Sequence, residues 1–252
     1  MKADYPKTEQ IPQLRDLWKE AFGDTDDFLD AFFSWGFDPR HCRCITEDGK
    51  VRSALYWFET SRGDTRYAYL YAVATAASRR GQGLFSALLE DVKQVLTAEG
   101  FDGILLVPQS AELGRMYEKF GFVPSTTVDI HSVSAGQSAI PVREIGTENF
   151  RKLRREYLPA GGVLQEGAML EFLASQCRFW AGDGWLAVGQ VYEGKLICQE
   201  FLGDLAAMAG LVRALEVPEG TFRTVGETVP FGWLLPLRAD CERPAYFALA
   251  LD

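Results

Sequence analysis

Histidine is scarce in this chain, with only His41 and His131 among 252 residues. Two imidazoles are poor material for a zinc site, a Ser-His-Asp triad or a Cys-His pair, so no metal is expected and such hydrolase chemistry has little to stand on. Cysteine is sparse as well. Cys42, Cys44, Cys177, Cys198 and Cys241 are odd in number and scattered, which argues against a disulfide framework. Cys42 and Cys44 stand two apart in a strand-like segment and share one face, a narrower gap than zinc-binding pairs use. Long apolar runs are missing, and Met1-Lys2-Ala3-Asp4-Tyr5 does not begin a secretory signal, so no membrane partner is expected and the cytoplasm follows. Positive charge is in deficit, with 26 Lys and Arg against 35 Asp and Glu for a formal charge of -9. That balance argues against nucleic acid as a partner and is compatible with a cationic amine drawn to an acidic cleft. What remains is a folded composition, 47% hydrophobic and 24% charged, enough for one large domain or two small ones.

The most informative segment is Arg79-Arg80-Gly81-Gln82-Gly83-Leu84-Phe85-Ser86. Before it, Tyr67, Tyr69, Tyr71 and Val73 alternate with Ala68, Leu70, Ala72 and Ala74, which predicts a strand with one bulky and one small face. After it, Leu84, Leu88, Val92 and Leu96 recur at helical spacing. A glycine-rich turn between a strand and a helix start presents unpaired amides to an anion, so the expected ligand carries phosphate. No Gly-Lys-Ser/Thr triplet follows Gly83, which excludes a P-loop. A dinucleotide fingerprint would need a third small residue where Ser86 stands and an acidic residue after the next strand, but Gly103 to Val107 runs into Pro108-Gln109.

Arg80, Gly81, Gln82, Gly83 and Leu84 resemble the acetyl-CoA signature of the GNAT acetyltransferase superfamily, Arg/Gln-x-x-Gly-x-Gly/Ala, with Phe85 standing at the closing small position. About thirty residues on, Met116-Tyr117-Glu118-Lys119-Phe120-Gly121-Phe122 is similar to the family's Tyr-x-Lys-x-Gly-Phe segment. Leu113, Met116, Tyr117 and Phe120 form one apolar stripe there, and Gly121 is placed to end the helix in a left-handed conformation. Phe85 narrows the approach to the helix start, so a non-catalytic acyl-CoA-binding module stands as the alternative to an enzyme.

The resemblance implies an N-acetyltransferase that moves acetyl from acetyl-CoA to a primary amine of a small molecule or peptide. It implies that Arg80, Gly81, Gln82, Gly83, Leu84, Phe85 and Ser86 hold the coenzyme's phosphates, and that Val73 and Thr75 offer main-chain contacts to its pantetheine. Tyr117 matches the tyrosine that protonates the departing thiolate in many members; as a bare residue it is also an ordinary packing aromatic. The attacking amine must lose a proton, and Glu59, at the end of the strand-like Val51 to Phe58, is a carboxylate candidate for that role or else a solvated strand-end charge. In some tandem members a terminal carboxylate serves as the base, which makes Asp252 a third catalytic candidate.

The element order predicts an α/β chain with a mixed sheet, a GNAT fold followed by a smaller GNAT-like domain. Residues 1–134 read as the acetyl-CoA-binding domain. They comprise a short first strand, helices at Gln10 to Phe22 and Thr25 to Trp35, a hairpin turning at Asp48-Gly49, the loop and helices above, and a closing pair of strands from Phe122 to Val133. Residues 140–252 partly repeat that order, with a hairpin turning at Glu193-Gly194 and last strands at Phe231 to Leu237 and Ala245 to Leu251, but without a second glycine loop. In tandem members of the family one copy commonly keeps the activity and the other shapes the acceptor pocket, and the same division is expected here.

Overall fold

The structure, a computed structural model, describes residues 2–251. In chain order the first half holds β1 (Ala3–Asp4), α1 (Ile11–Phe22), α2 (Asp26–Ala31), β2 (Cys42–Glu47), β3 (Lys50–Arg62), β4 (Thr65–Thr75), α3 (Leu84–Ala98), β5 (Gly103–Leu106), α4 (Ala111–Glu118) and β6 (Val123–Ser134). The second half holds β7 (Arg143–Ile145), α5 (Thr147–Tyr157), β8 (Leu164–Gln165), α6 (Ala168–Gln176), β9 (Arg178–Gly182), β10 (Trp185–Tyr192), β11 (Lys195–Gly203), α7 (Met208–Ala214), β12 (Glu219–Val225) and β13 (Val229–Pro236). All thirteen strands join one mixed sheet in the order β1-β2-β3-β4-β5-β13-β6-β12-β11-β10-β9-β7, with β8 on the side against β3.

Each half contains one parallel pair closed by a crossover helix, β4 and β5 through α3 and β11 and β12 through α7. Each is then completed by a strand of the other half. β13 enters between β5 and β6, and β6 runs antiparallel to both β13 and β12. The segment Phe122 to Val133, which reads as two strands, is therefore one long strand, because its pairing partners lie about a hundred residues further along.

Period-two alternation assigns side chains to the two faces of the sheet. Tyr56, Phe58, Tyr67 and Tyr69 face a core shared by both halves, into which α1 contributes Leu14, Leu17 and Trp18 and the second half contributes Phe172, Phe179 and Phe247. Leu55, Trp57, Ala68 and Leu70 face the opposite side, where Leu84, Leu88, Val92 and Leu96 of α3 cover them. A third cluster lies under α7, around Trp185, Phe201 and Phe222.

The alternation of β4 breaks at Ala72, whose φ is 53°. Between the pairs Ala54↔Ala74 and Tyr56↔Tyr71, β3 advances by two residues and β4 by three, which is a bulge. The extra residue flips the strand's faces, so Tyr71 points to the shared core while Val73 packs on the α3 side. A single bulky face running through Val73 is thereby corrected.

The second correction concerns Ala245 to Leu251. It is buried from Tyr246 to Ala250, but among the described residues no strand pairs with it, and its one bridge is Gly162↔Tyr246. Side chains and loop backbone hold it instead. Val163 N donates to Tyr246 O at 2.9 Å, Arg223 donates to Ala248 O at 2.9 Å, and Gln165 Nε2 donates to Leu249 O.

Gln165 belongs to a buried polar group beneath that segment. Arg154 of α5 makes a two-pronged pair with Glu200 of β11 at 2.7 and 3.0 Å, and also donates to Val163 O at 3.1 Å and Gln165 Oε1 at 3.2 Å. Both ionised side chains are almost fully enclosed, at 3% and 1% exposure. Removing one partner strands a buried charge, which typically costs about 3–5 kcal/mol, whereas an apolar replacement of both can be close to neutral. Glu200→Ala is therefore expected to lower unfolding stability by about that amount, and the double variant Arg154→Met, Glu200→Leu to recover most of the loss. Urea unfolding of the three proteins checks both expectations.

Candidate active site

The site begins where β4 and β5 part. Their parallel register runs Tyr67↔Gly103, Ala68↔Ile104 and Tyr69↔Leu105 and then stops, although β4 continues for six more residues. β5 ends at Leu106, and Val107-Pro108 turns the chain away; proline has no N–H with which to extend a ladder. The gap opens a cavity of about 450 Å³. Leu113 and Tyr117 of α4 line it from the α3 side. Trp18, Phe28, Tyr69 and Tyr71 line it from the shared core, so it passes through the sheet.

At the far end of β4 stands the glycine loop. Gly81 and Gly83 adopt φ of 72° and 81°, and a Cβ at either would meet nothing within 4 Å, so the left-handed backbone and not crowding demands glycine there. Gly83 caps α3, and Ala87 N is the first amide of that helix to find a backbone acceptor, Gly83 O at 3.0 Å. Among the described residues the amides from Gly81 to Ser86 donate no hydrogen bond. Side chains brace the loop from outside it. Arg80 Nε donates to Thr75 O at 3.1 Å, Gln82 Nε2 donates to Ser78 O at 3.1 Å, and Arg79 pairs with Glu47. The result is a shallow depression of about 400 Å³ lined by Thr75, Arg80, Gly81, Gly83, Phe85 and Ser86 among others. It can hold a polyanion on backbone donors at the positive end of a fifteen-residue helix.

Phe85 does not fill that depression with its whole ring. The ring packs edge-on against Tyr117 and Phe120, with centroids 5.9 and 5.0 Å away. Bulk at the position usually held by Gly or Ala is thus directed toward α4. Tyr117 is also edge-on to Phe122 at 5.5 Å, and this aromatic enclosure pushes its hydroxyl up to about 12, so it is protonated at neutral pH. The helix bearing it is set by Ser110, whose Oγ accepts from Leu113 N at 3.2 Å, and by Gly121 with φ of 92°. It also rests on β13, since a Cβ at Gly114 would come within 3.0 Å of the Trp233 ring.

The other candidates fall in different places. Val73 lines the cavity on the unpaired edge of β4. Thr75 bonds Ser53 through its hydroxyl at 2.9 Å and already gives its carbonyl to Arg80. Glu59 does not line the cavity of Tyr117; it lies in a separate cleft with His41 and Arg66, 3.5 and 3.4 Å from their nitrogens. Its register opposite Ala68 puts it on the stretch where β4 is still paired on both sides, away from the gap. Asp252 lies outside the described residues. Its neighbour Leu251 lines the cavity and donates its amide to Tyr69 Oη at 3.4 Å. The wall formed by Trp18, Phe28 and Asp24 was not among the sequence candidates, since no motif marks these residues. Among the described residues no cluster of three His, Cys, Asp or Glu is arranged to hold a metal ion, and no helix is long and apolar enough to cross a membrane.

The family model of the acetyltransferase (GNAT) domain matches residues 2–124. A GCN5-related N-acetyltransferase from Anabaena variabilis superposes with a TM-score of 0.72 at 16% identity, over 94% of this chain and 73% of its own. One from Kribbella flavida gives 0.69 at 15% identity, over 95% and 73%. One from Sphaerobacter thermophilus gives 0.53 at 14% identity, over 97% and 96%. No curated protein matches the chain. Residues 2–124 thus belong to the GNAT acetyltransferase family, and the chain as a whole has the mixed α/β fold of these structures.

Proposed function

We propose that this protein is an acetyl-CoA-dependent N-acetyltransferase acting on a primary amine of a small molecule or peptide. The observation that carries the reading is the unpartnered row of amides from Gly81 to Ser86 at the start of α3, beside the strand edge that borders Tyr117's cavity. Those amides, with the Arg80 guanidinium beside them, suit a pyrophosphate. The free edge of β4 around Val73 suits an amide-bearing chain such as pantetheine, which can pair with it as a further strand would.

Acetyl-CoA brings an already activated thioester, so the protein's share is alignment and the movement of two protons. The amine nitrogen bonds to the acetyl carbon, the carbon–sulfur bond breaks, and the Tyr117 hydroxyl gives its proton to the leaving sulfur. The proton lost by the attacking ammonium goes to water or to a carboxylate near the cavity; Asp252 is retained for that role because Leu251 lines the wall. In this reading the second half is a GNAT-like copy without the glycine loop, and it shapes the acceptor end. Five unpaired cysteines, four of them buried, agree with a reducing cytoplasm, and the net charge of -9 agrees with a partner other than nucleic acid.

Acetyl-CoA at a hundredfold excess over its Kd should stabilise the protein by about 2.7 kcal/mol. Gly83→Val, which forces a branched side chain into a left-handed conformation, should abolish most of that thermal shift. No shift in the parent protein overturns the assignment, and a shift without release of CoA in the presence of any amine leaves a binding module instead.

Tyr117→Phe is expected to lower kcat by about a hundredfold and to leave the KM for acetyl-CoA unchanged. With the hydroxyl pushed up to about 12, the parent enzyme keeps its acid proton through the mildly alkaline range, so loss of kcat from this group begins only above about pH 11. An unchanged kcat in the variant removes Tyr117 from the chemistry. Deleting Leu251 and Asp252 should abolish turnover while the thermal shift with acetyl-CoA survives; full turnover would dismiss Asp252.

A further inference from the structure

Among the described residues lining the through-sheet cavity, Asp24 is the one carboxylate. It sits just after Gly23, whose φ of 76° ends α1, so the chain turns back and brings Asp24 against the helix it has left. One carboxylate oxygen accepts the indole N–H of Trp18 at 2.7 Å, and no other hydrogen bond or ion pair holds the group. Trp18 itself is buried at 2% exposure, so this bond satisfies its only polar atom and fixes the carboxylate in place. The second oxygen is free to receive an ammonium.

On its cavity side Asp24 stands beside aromatic rings, while its outer side borders Thr25, Asp27, Ser175 and Gln176. Trp18 packs against Phe22, Phe28 and Tyr71 with ring centroids 5.7, 6.3 and 5.6 Å apart. Besides Asp24 and the Trp18 indole it holds, the hydrogen-bonding side chains of the cavity wall are Gln109 and the hydroxyls of Tyr69, Tyr71 and Tyr117, and the Tyr69 hydroxyl accepts the Leu251 amide. A sugar amine would set most of its hydroxyls against rings, and a polyamine would find one carboxylate for its several ammonium groups among the described residues of the wall. An aryl or bulky apolar body carrying one ammonium matches both features, with the ammonium at Asp24 and the body against the rings.

We propose that Asp24 and the rings around Trp18 form the acceptor subsite, and that it selects a singly charged primary amine on an aromatic or apolar body. The inference rests on the acetyltransferase reading and adds the class of acceptor to it. Asp24 is a specificity residue here; the ammonium it orients must still release its proton to solvent or another base before the nitrogen attacks.

The test compares 2-phenylethylamine and tryptamine with spermidine and glucosamine at saturating acetyl-CoA, following thiol release. The aryl amines should show kcat/KM at least tenfold higher. Asp24→Asn keeps an oxygen for the Trp18 indole while removing the charge, so it should raise the KM for 2-phenylethylamine at least tenfold with the KM for acetyl-CoA and the thermal midpoint unchanged. Calorimetric titration of 2-phenylethylamine in the presence of CoA should show the same weakening in equilibrium binding. Preference for spermidine or glucosamine, or an Asp24→Asn variant with unaltered amine KM and affinity, overturns the proposal while leaving the transferase reading intact. Binding of acetyl-CoA without turnover or binding of either aryl amine overturns it too. Failure of acetyl-CoA itself to bind is the separate failure of the underlying reading.

Discussion

The parting of β4 from β5 after Tyr69 is the constraint on which the rest of the molecule turns. A parallel pair inside a sheet is normally hydrogen-bonded along its full length and covered on both faces. Here β5 is four residues long and gives way to Val107-Pro108, while β4 runs on and bulges at Ala72. An unpaired strand edge within a protein carries backbone groups in need of partners. In this fold the edge faces the cavity that Tyr117 lines, and in the proposed function its unmet hydrogen bonds are what would hold the ligand. The bulge matters because it moves Val73 to the α3 side of the sheet, the side on which Tyr117 also packs.

Local features were legible in the sequence. The strand, glycine loop and helix from Thr65 to Ala98 stand in the order that side-chain period and the glycine-rich turn predict, although the bulge at Ala72 breaks the period within the strand. α4 (Ala111–Glu118), with Leu113, Met116 and Tyr117 of its apolar stripe, and the left-handed Gly121 beyond it are as expected. What could not be read was anything fixed by distant pairing. β13 reaches its place between β5 and β6 across more than a hundred residues, and no local pattern encodes such a choice of neighbour. Glu59 looked close to the substrate mouth because its strand ends there in sequence, but the register of β3 on β4 places it opposite Ala68, in another cleft. The run from Ala245 to Leu251 has strand-like apolarity; burial alone produces that composition, and the backbone partners come from Arg223, Gln165 and loop carbonyls and amides. The bulge was hidden for a similar reason, since an alanine at positive φ leaves the composition of the strand unchanged.

The exchange of β6 and β13 ties the two halves more closely than their similar element order suggests. α4 rests on Trp233 of β13 at Gly114, so the helix that carries Tyr117 is seated on a strand from the second half. On the other side of the gap, Leu251 reaches Tyr69 at the end of a segment held by Gln165 and Arg223. Gln165 is in turn oriented by Arg154, whose charge Glu200 balances. A buried ion pair is weak evidence for stability, but it is strongly directional, and a displaced Arg154 would leave Glu200 and Gln165 unsatisfied at once. The position of Leu251 in the cavity wall is therefore coupled to the packing of α5 on β11. The half that carries the glycine loop and Tyr117 thus depends on the other half at both walls of the cavity, through Trp233 under α4 on one side and Leu251 on the other.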